Sequence, residues 1–216
     1  MTLTKSSSGD GGALRADARR NRDSILKTAA RHFAAYGVNT SLDEIARDAR
    51  IGPGTLYRHF PTREHLLCGV LQERKEILLS RRDEVSAMPC AGSALRAWMM
   101  GLVDYFSVFN GLPQPFIDAI EAQASPLANT CGELISITGE FLSRAQAEGV
   151  ARQSVSAPAL FLSALGTAFV HGKADEYGTT PERIEEILAF GYLSSGTARD
   201  AADAPKSISK TGAPHD

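Results

Sequence analysis

The sequence predicts an all-α fold of about nine helices, with a three-helix N-terminal domain and a larger helical C-terminal domain. Ala, Leu, Arg and Glu recur at helical spacing, whereas Val, Ile and Thr are scattered and no segment alternates as a strand would. Cap residues followed by proline, as at Ser125-Pro126 and Thr180-Pro181, mark helix starts. The shares of 43% apolar and 22% charged residues are those of a globular protein. They suggest neither a disordered chain nor a membrane protein.

The first helix is expected over residues 19–36. Ile25, Ala29 and Phe33 recur at steps of four and would form one buried stripe. Gly37 follows the helix as a left-handed cap.

The second helix is expected to begin after Ser41. The hydroxyl of Ser41 and the carboxylate of Glu44 have the spacing of a capping box, in which each satisfies a free backbone N–H. With only about eight residues, this helix would be marginal alone and must pack on its neighbours.

The third helix is confined between two stops. Gly52 is expected as its cap and Pro53 as its first residue, where a missing N–H costs nothing, and Pro61 ends it. At 100° per residue, Leu56 and Phe60 point inward together.

The opposite side of the third helix is polar, and its residue types suit DNA. Two short helices joined by a tight turn form a helix-turn-helix, whose second helix enters the major groove. Arg58 can bond two acceptors of guanine, Thr55 can contact a thymine methyl, and Gly54 lets the backbone approach closely. Tyr57 and Arg63 can reach phosphates.

Charge is unevenly distributed along the chain, although its net value is only −2. Residues 15–75 contain 12 Lys/Arg and 7 Asp/Glu, a net charge of +5, whereas residues 76–200 contain 8 and 15, a net charge of −7. A basic first third suggests a polyanionic partner. Chance partition of surface charge is the alternative.

The segment SLDEIARDARIGPGTLYRHFPTREHLL also resembles the DNA-binding signature of the tetracycline-repressor (TetR) type of bacterial transcriptional regulator. The resemblance spans about residues 23–71 and is most specific over 55–60. It implies a homodimer that binds double-stranded operator DNA and a C-terminal domain that takes a ligand. The implied DNA-binding residues, with the neighbouring positions that fit, are Arg20, Ser41, Gly54, Thr55, Tyr57, Arg58, His59 and Arg63. Gly52, His65 and Arg63 depart from the residues frequent in that family.

The predicted domains are a helix-turn-helix domain over residues 15–62 and a ligand-binding and dimerisation domain over 63–198. Residues 1–14 and 199–216 are predicted to be disordered tails. The helices of the second domain are expected over residues 63–88, 93–110, 114–123, 126–148, 157–173 and 181–195.

Several of these helices are apolar on more than one face, which is typical either of a pocket for a small hydrophobic or amphipathic molecule or of plain core. The candidate pocket residues are Trp98, Met99, Leu102, Phe106, Phe109, Phe116, Ile135 and His171. His171 fits a core or interface histidine equally well.

The last two helices form the dimer interface in proteins of the resembled type. The candidate interface residues are Leu160, Ala164, Ala168, Ile184, Ile187 and Leu188. Two-fold symmetry would set two recognition helices one DNA turn apart, ~34 Å, and requires a roughly palindromic operator.

An enzyme or an interaction protein is the alternative. The histidines and cysteines form no CxxC, HExxH or Gly-Xaa-Ser-Xaa-Gly motif, so we expect no enzyme activity, cofactor or metal. His65 and Cys68 stand one turn apart, a spacing that arises readily by chance.

The sequence also indicates a compartment. Three cysteines, odd in number and widely spaced, fit a reducing cytoplasm. We expect neither a signal peptide nor a membrane span.

Overall fold

The structure, a computed structural model, describes residues 10–122, 125–171 and 178–193. Within these ranges the chain forms nine α-helices and no strand beyond one antiparallel bridge between Ala151 and Leu193. The predicted all-α fold is confirmed. The helices are α1 (Asp10–Tyr36), α2 (Leu42–Asp48), α3 (Pro53–His59), α4 (Arg63–Ser86), α5 (Ala91–Phe106), α6 (Pro113–Ala122), α7 (Pro126–Ala147), α8 (Ala157–His171) and α9 (Pro181–Tyr192).

Helix α1 begins well before its predicted start at residue 19. Residues 10–14, which were expected in the N-terminal tail, are helical. Extending an existing helix adds one hydrogen bond for each residue fixed, so a segment with weak periodicity can join it. Residues 1–9 and 194–216, which include most of the two predicted tails, lie outside the described residues.

The predicted helix starts of the N-terminal domain are present. Ser41 Oγ accepts the backbone N–H of Glu44 at 3.4 Å, and Pro53 follows the cap residue Gly52. Helices α1 to α4 share one apolar core, in which the following side chains are at most 1% exposed: Ile25, Phe33, Ile45, Leu56, Phe60 and Leu66. This core fixes α2 and α3 against the longer α1 and α4.

Helix α5 is the centre of the C-terminal body and packs against α4, α7, α8 and α9. It ends at Phe106, earlier than predicted, so Phe109 lies in the loop of residues 107–112 that leads to α6. Helix α6 packs on α7 and α8, and α9 packs on α8 and α5.

Polar contacts join α4 to α7 along their length. Lys75 Nζ lies 2.9 Å from Glu133 Oε2, and Arg82 pairs with Glu140. Arg144 of α7 donates to the carbonyl oxygen of Ser86 at 2.7 Å, at the C-terminal end of α4. This end of α4 is therefore held to the body by a side chain that satisfies its free carbonyls.

Within the described residues, no helix is both long and apolar enough to cross a membrane. The same residues contain no group of three His, Cys, Asp or Glu side chains placed to hold a metal ion.

Candidate nucleic-acid interface

Helix α3 is anchored by two buried side chains. Leu56 is fully buried and Phe60 is 1% exposed. The backbone N–H of Thr55 donates to the carbonyl of Gly52 at 2.9 Å, which closes the first turn. The guanidinium of Arg22 on α1 stands 4.5 Å from the centre of the Phe60 ring, a cation–π contact that ties α3 to α1.

The outward side of α3 is polar and accessible. Tyr57 is 45% exposed and Arg58 is also exposed, while Thr55 and His59 are half-buried. No atom outside the adjacent backbone lies within 4 Å of where a Cβ on Gly54 would stand, so the space beside this glycine is open. The helix therefore presents a phenol and a guanidinium on a fixed backbone, with open space beside its N-terminal turn.

Two further candidate DNA-binding residues have partners inside the protein. The exposed Ser41 acts as the cap of α2. Arg20, also exposed, pairs with Asp17 one turn earlier on α1. An exposed ion pair contributes little to stability, so Arg20 remains available to a polyanion.

Arg63 is held by the protein itself. Its Nη1 donates to the carbonyl oxygens of Val38 at 2.6 Å and Thr40 at 2.8 Å, and the side chain is half-buried. The sequence indicated Arg63 only as a phosphate contact. The two carbonyls lie more than twenty positions away in the chain, so no local pattern signals this bond.

The turn between α2 and α3 contains Arg50, which has φ of 58°. A left-handed backbone is costly for any residue with a Cβ, and glycine is frequent in such turns. Arg50 is exposed. Its position was not recognised from the sequence, because an arginine gives no signal for a left-handed turn.

Helices α1 and α2 are also joined by a side-chain pair. His32 Nε2 lies 2.8 Å from Asp48 Oδ2, and His32 is 8% exposed. The pair fixes the end of α2, and so the start of the turn to α3, against α1.

The candidate pocket side chains of α5 and α6 are closely packed. Trp98 Nε1 donates to Thr138 Oγ1 at 2.9 Å, and the indole stacks on Phe141 with ring centres 5.3 Å apart. The ring centres of Phe106 and Phe116 are 4.9 Å apart. Met99, Leu102 and Phe109 are buried as well, and Ile135 is half-buried. His171 ends α8, but its side chain lies outside the described residues.

The surroundings of these candidate pocket side chains disfavour charged groups. Burial raises the pKa of Cys131 to about 11 and raises the pKa of Tyr105 well above its usual value. Both groups are therefore neutral at physiological pH, which suits an apolar occupant or a plain core equally.

A groove of about 730 Å³ lies between α1 and α4 rather than in this cluster. His65 and Cys68, which had no assigned role, both line it. The Nδ1 of His65 is 3.0 Å from Thr62 Oγ1, the cap of α4, so this histidine has a structural partner.

The candidate interface residues divide between two environments. Leu160, Ala164 and Ala168 are at most 6% exposed, because their side of α8 packs into the protomer. Their contact with a second copy stays a prediction. Ile184 is half-buried, whereas Ile187 is 72% exposed and Leu188 is also exposed. The exposed apolar side chains of the two helices, called here the α8–α9 apolar face, are Leu162, Phe169, Val170, Ile187, Leu188 and Phe190.

Two family models match the chain. One, described as bacterial regulatory proteins of the tetR family, matches residues 25–68. The other, described as the C-terminal domain of SbtR-like transcriptional regulators, matches residues 90–191. The first covers the end of α1 and the helix-turn-helix, and the second covers the body from α5 to α9.

Among curated proteins, an HTH-type transcriptional regulator of Staphylococcus aureus (strain USA300) is 37% identical over 73 residues. That match covers 33% of this chain and 40% of the relative, so the chain aligns with less than half of the relative's length.

Solved structures match over most of the chain. A TetR transcriptional regulator from Streptomyces coelicolor is 28% identical with a TM-score of 0.53, and the match covers 81% of this chain and 99% of that one. RolR in complex with the ligand resorcinol is 19% identical with a TM-score of 0.62, and the match covers 90% of this chain and 98% of that one. The second likeness concerns the fold alone.

Proposed function

The chain belongs to the TetR family of bacterial transcriptional regulators, and on this premise we propose that it is a homodimeric repressor whose hold on operator DNA is released by a small molecule. One observation supports DNA binding above the others. Helix α3 buries Leu56 and Phe60 completely or nearly so, and exposes Tyr57 and Arg58. Polar side chains on a short, firmly anchored helix suit insertion into a major groove.

The residues of α3 have distinct roles in this proposal. Arg58 makes a bidentate contact with guanine, and Thr55 contacts a base edge or a thymine methyl. Gly54 lets the backbone approach the DNA, since a side chain there would occupy the open space that the duplex needs. Tyr57 and His59 bond phosphates and fix the orientation without reading sequence.

Contacts outside α3 extend this interface along the phosphate backbone. Arg20 on α1 and Ser41 at the start of α2 stand on exposed positions, where a guanidinium and a hydroxyl suit phosphate oxygens. The net charge of +5 over residues 15–75 would favour approach to the duplex. Arg63, at the start of α4, is bonded to two backbone carbonyls through Nη1, and we assign it no phosphate contact.

The α8–α9 apolar face supports dimerisation. Phe169 is 55% exposed, Phe190 is 52% exposed and Ile187 is 72% exposed. Large exposed apolar side chains on two helices that pack together indicate an interaction surface. A second copy of the chain covers them, and closed two-fold symmetry then prevents further association.

A two-fold dimer dictates the form of the operator. Its two copies of α3 enter successive major grooves about 34 Å apart, so the site is an inverted repeat with half-sites one helical turn apart.

The effector is proposed to bind between α5, α6 and α7, around Trp98, Phe106 and Phe116. Phe106 and Phe116 are in contact with each other, and Trp98 packs on Phe141. A ligand must therefore separate packed side chains, and the bound form of the body differs from the one described. RolR, a structural neighbour, is solved with resorcinol, a small amphipathic molecule. A coupling free energy of ~1–3 kcal/mol between the two sites would change operator affinity from several-fold to over a hundredfold.

The proposed function requires the protein to be in the cytoplasm, with the DNA that it binds.

Selection of bound sites from random duplex DNA by the purified protein tests the proposal directly. Enrichment of an inverted repeat would support DNA binding, two-fold symmetry and half-site spacing together. If no sequence is enriched at moderate salt, the chain is not a sequence-specific regulator, and the alternatives of a helical enzyme or interaction protein return.

A further inference from the structure

The N-terminal domain meets the body at the turn between α1 and α2, residues 37–40, called here the α1–α2 corner. The backbone N–H of Val38 donates to the carbonyl oxygen of Asn110, in the loop of residues 107–112, at 3.0 Å. The carbonyls of Val38 and Thr40 accept from Arg63 Nη1 at 2.6 and 2.8 Å. The corner is thus bonded on one side to the α5–α6 loop and on the other to the start of α4.

The approach between the corner and the loop is close enough to require glycine. Gly37 has φ of 79°, and a Cβ built on it would stand 2.9 Å from Asn110 O. Gly111, across the contact, has φ of 78°, and its Cβ would stand 3.4 Å from Val38 Cγ2. A side chain at residue 37 would force the corner and the loop apart, because the atom it meets belongs to the backbone.

An aromatic contact lies beside these hydrogen bonds. Phe33 of α1 and Phe109 of the loop meet edge to face, with ring centres 5.7 Å apart. Phe33 is fully buried and Phe109 is 6% exposed, so the contact belongs to the core that the two domains share. The loop itself is closed by a bond of 3.1 Å from the Leu112 N–H to the Phe109 carbonyl.

We propose that the α1–α2 corner is the junction through which the body sets the orientation of the recognition helix, and that Arg63 is a positioning residue there. This inference rests on the proposed function, because it describes how binding to the operator DNA is controlled. Helix α2 begins immediately after the corner and α3 follows it, so displacement of the corner displaces both. A ligand that moves Phe106, at the end of α5, moves the loop and its bond to Val38.

Glycine variants test the junction. Gly37→Ala and Gly111→Ala are compared with Gly149→Ala, a matched control, because Gly149 also has a positive φ of 72° but no atom within 4 Å of its added Cβ. Binding to a selected DNA site is measured over a range of salt concentrations. We expect Gly37→Ala to weaken binding about tenfold or more with an unchanged salt slope, and Gly149→Ala to bind within about twofold of the original protein. Equal binding by Gly37→Ala and Gly149→Ala would overturn the proposal.

The variant Arg63→Met tests whether Arg63 positions the corner or contacts a phosphate. Arg81→Met, at an exposed position farther along α4, is the control. A positioning residue lowers affinity and leaves the salt slope unchanged, whereas loss of one phosphate contact reduces the slope by ~0.9. A reduced slope in Arg63→Met would therefore contradict its positioning role. The comparison of Arg63→Met with Arg81→Met still tests the proposal if Gly37→Ala does not fold.

Amide exchange, measured without DNA, distinguishes failure of this inference from failure of the proposed function. The Val38 N–H should be protected in the original protein and exchange faster in Arg63→Met and Gly111→Ala, with no such change in Gly149→Ala. An unprotected Val38 N–H would contradict the proposed junction, whatever the DNA-binding measurements show. Absence of any selected DNA site, together with a protected Val38 N–H, would instead contradict the proposed function.

Discussion

Glu185 of α9 and Arg96 of α5 form an ion pair inside the protomer, with Glu185 Oε2 2.8 Å from Arg96 Nε. Their side chains are only 4% and 17% exposed. The other carboxylate oxygen accepts from the Tyr192 hydroxyl at 2.8 Å. Burial, together with the adjacent Glu185 carboxylate, raises the pKa of Tyr192 well above its usual value, so its hydroxyl stays protonated and donates. These bonds fix α9 to the centre of the body.

Arg96→Met should lower the free energy of unfolding by about 3–5 kcal/mol, because it leaves a buried carboxylate without its cation. Urea unfolding measures the loss. Lys75→Met is the control, since it breaks a more exposed pair whose side chains are 21% and 42% exposed, and its loss should be below about 1 kcal/mol. Equal losses in the two variants would mean that the inner pair contributes no more than a surface one.

Arg58→Ala should weaken binding to the selected operator by about 1–3 kcal/mol and relax the preference for one base pair, because a bidentate base contact is lost. Fluorescence anisotropy on the selected site and on sites altered at single positions measures both effects. Arg81→Ala removes another exposed arginine, on α4, and should leave affinity and preference unchanged. Unchanged base preference in Arg58→Ala would assign this arginine to the phosphates.

Ile187→Glu should dissociate the proposed dimer, because two-fold symmetry places the new carboxylate twice in an apolar interface. The dimer dissociation constant should rise at least about a hundredfold, as measured by sedimentation equilibrium. Ile77→Glu is the matched control: Ile77 is 47% exposed but lies on α4 rather than on the α8–α9 apolar face. If Ile77→Glu alone yields monomers, the interface lies on α4 instead.

Arg50→Gly should stabilise the protein by about 1 kcal/mol, because it relieves a left-handed backbone at φ of 58°. Thermal unfolding would detect the change. Arg47→Gly, at an exposed helical position of α2, should have the opposite sign and cost about 1 kcal/mol. A lower melting temperature for Arg50→Gly would show that the arginine side chain stabilises the turn by more than its backbone strain.

Local signals predicted most helix starts well. Ser41 with Glu44, and the prolines at residues 53, 126 and 181, act through atoms only a few positions away, so their effect is visible in the sequence. The inward direction of Leu56 and Phe60 likewise follows from helical geometry, and both residues are buried. The start of α1 was predicted too late because weakly periodic residues can extend a helix that is already formed.

Relationships between distant segments were not predictable in the same way. Helix α8 is apolar around most of its circumference, so periodicity cannot tell which side faces the protomer; Leu160 is buried while Leu162 is 50% exposed. The bonds of Arg63 to the α1–α2 corner depend on how α4 packs against α1. The left-handed turn at Arg50 depends on the angle between α2 and α3, and no residue type in the turn predicts that angle.

The buried contact between Trp98, Thr138 and Phe141 has a practical consequence, since Trp98 is the only tryptophan of the chain. Its indole is 2% exposed and stands among the side chains that a bound effector would have to separate. Ultraviolet emission from this one chromophore consequently originates in the body and in no part of the DNA-reading domain. The fluorescence of Trp98 therefore reports on the interior of the body alone, and no added label is needed.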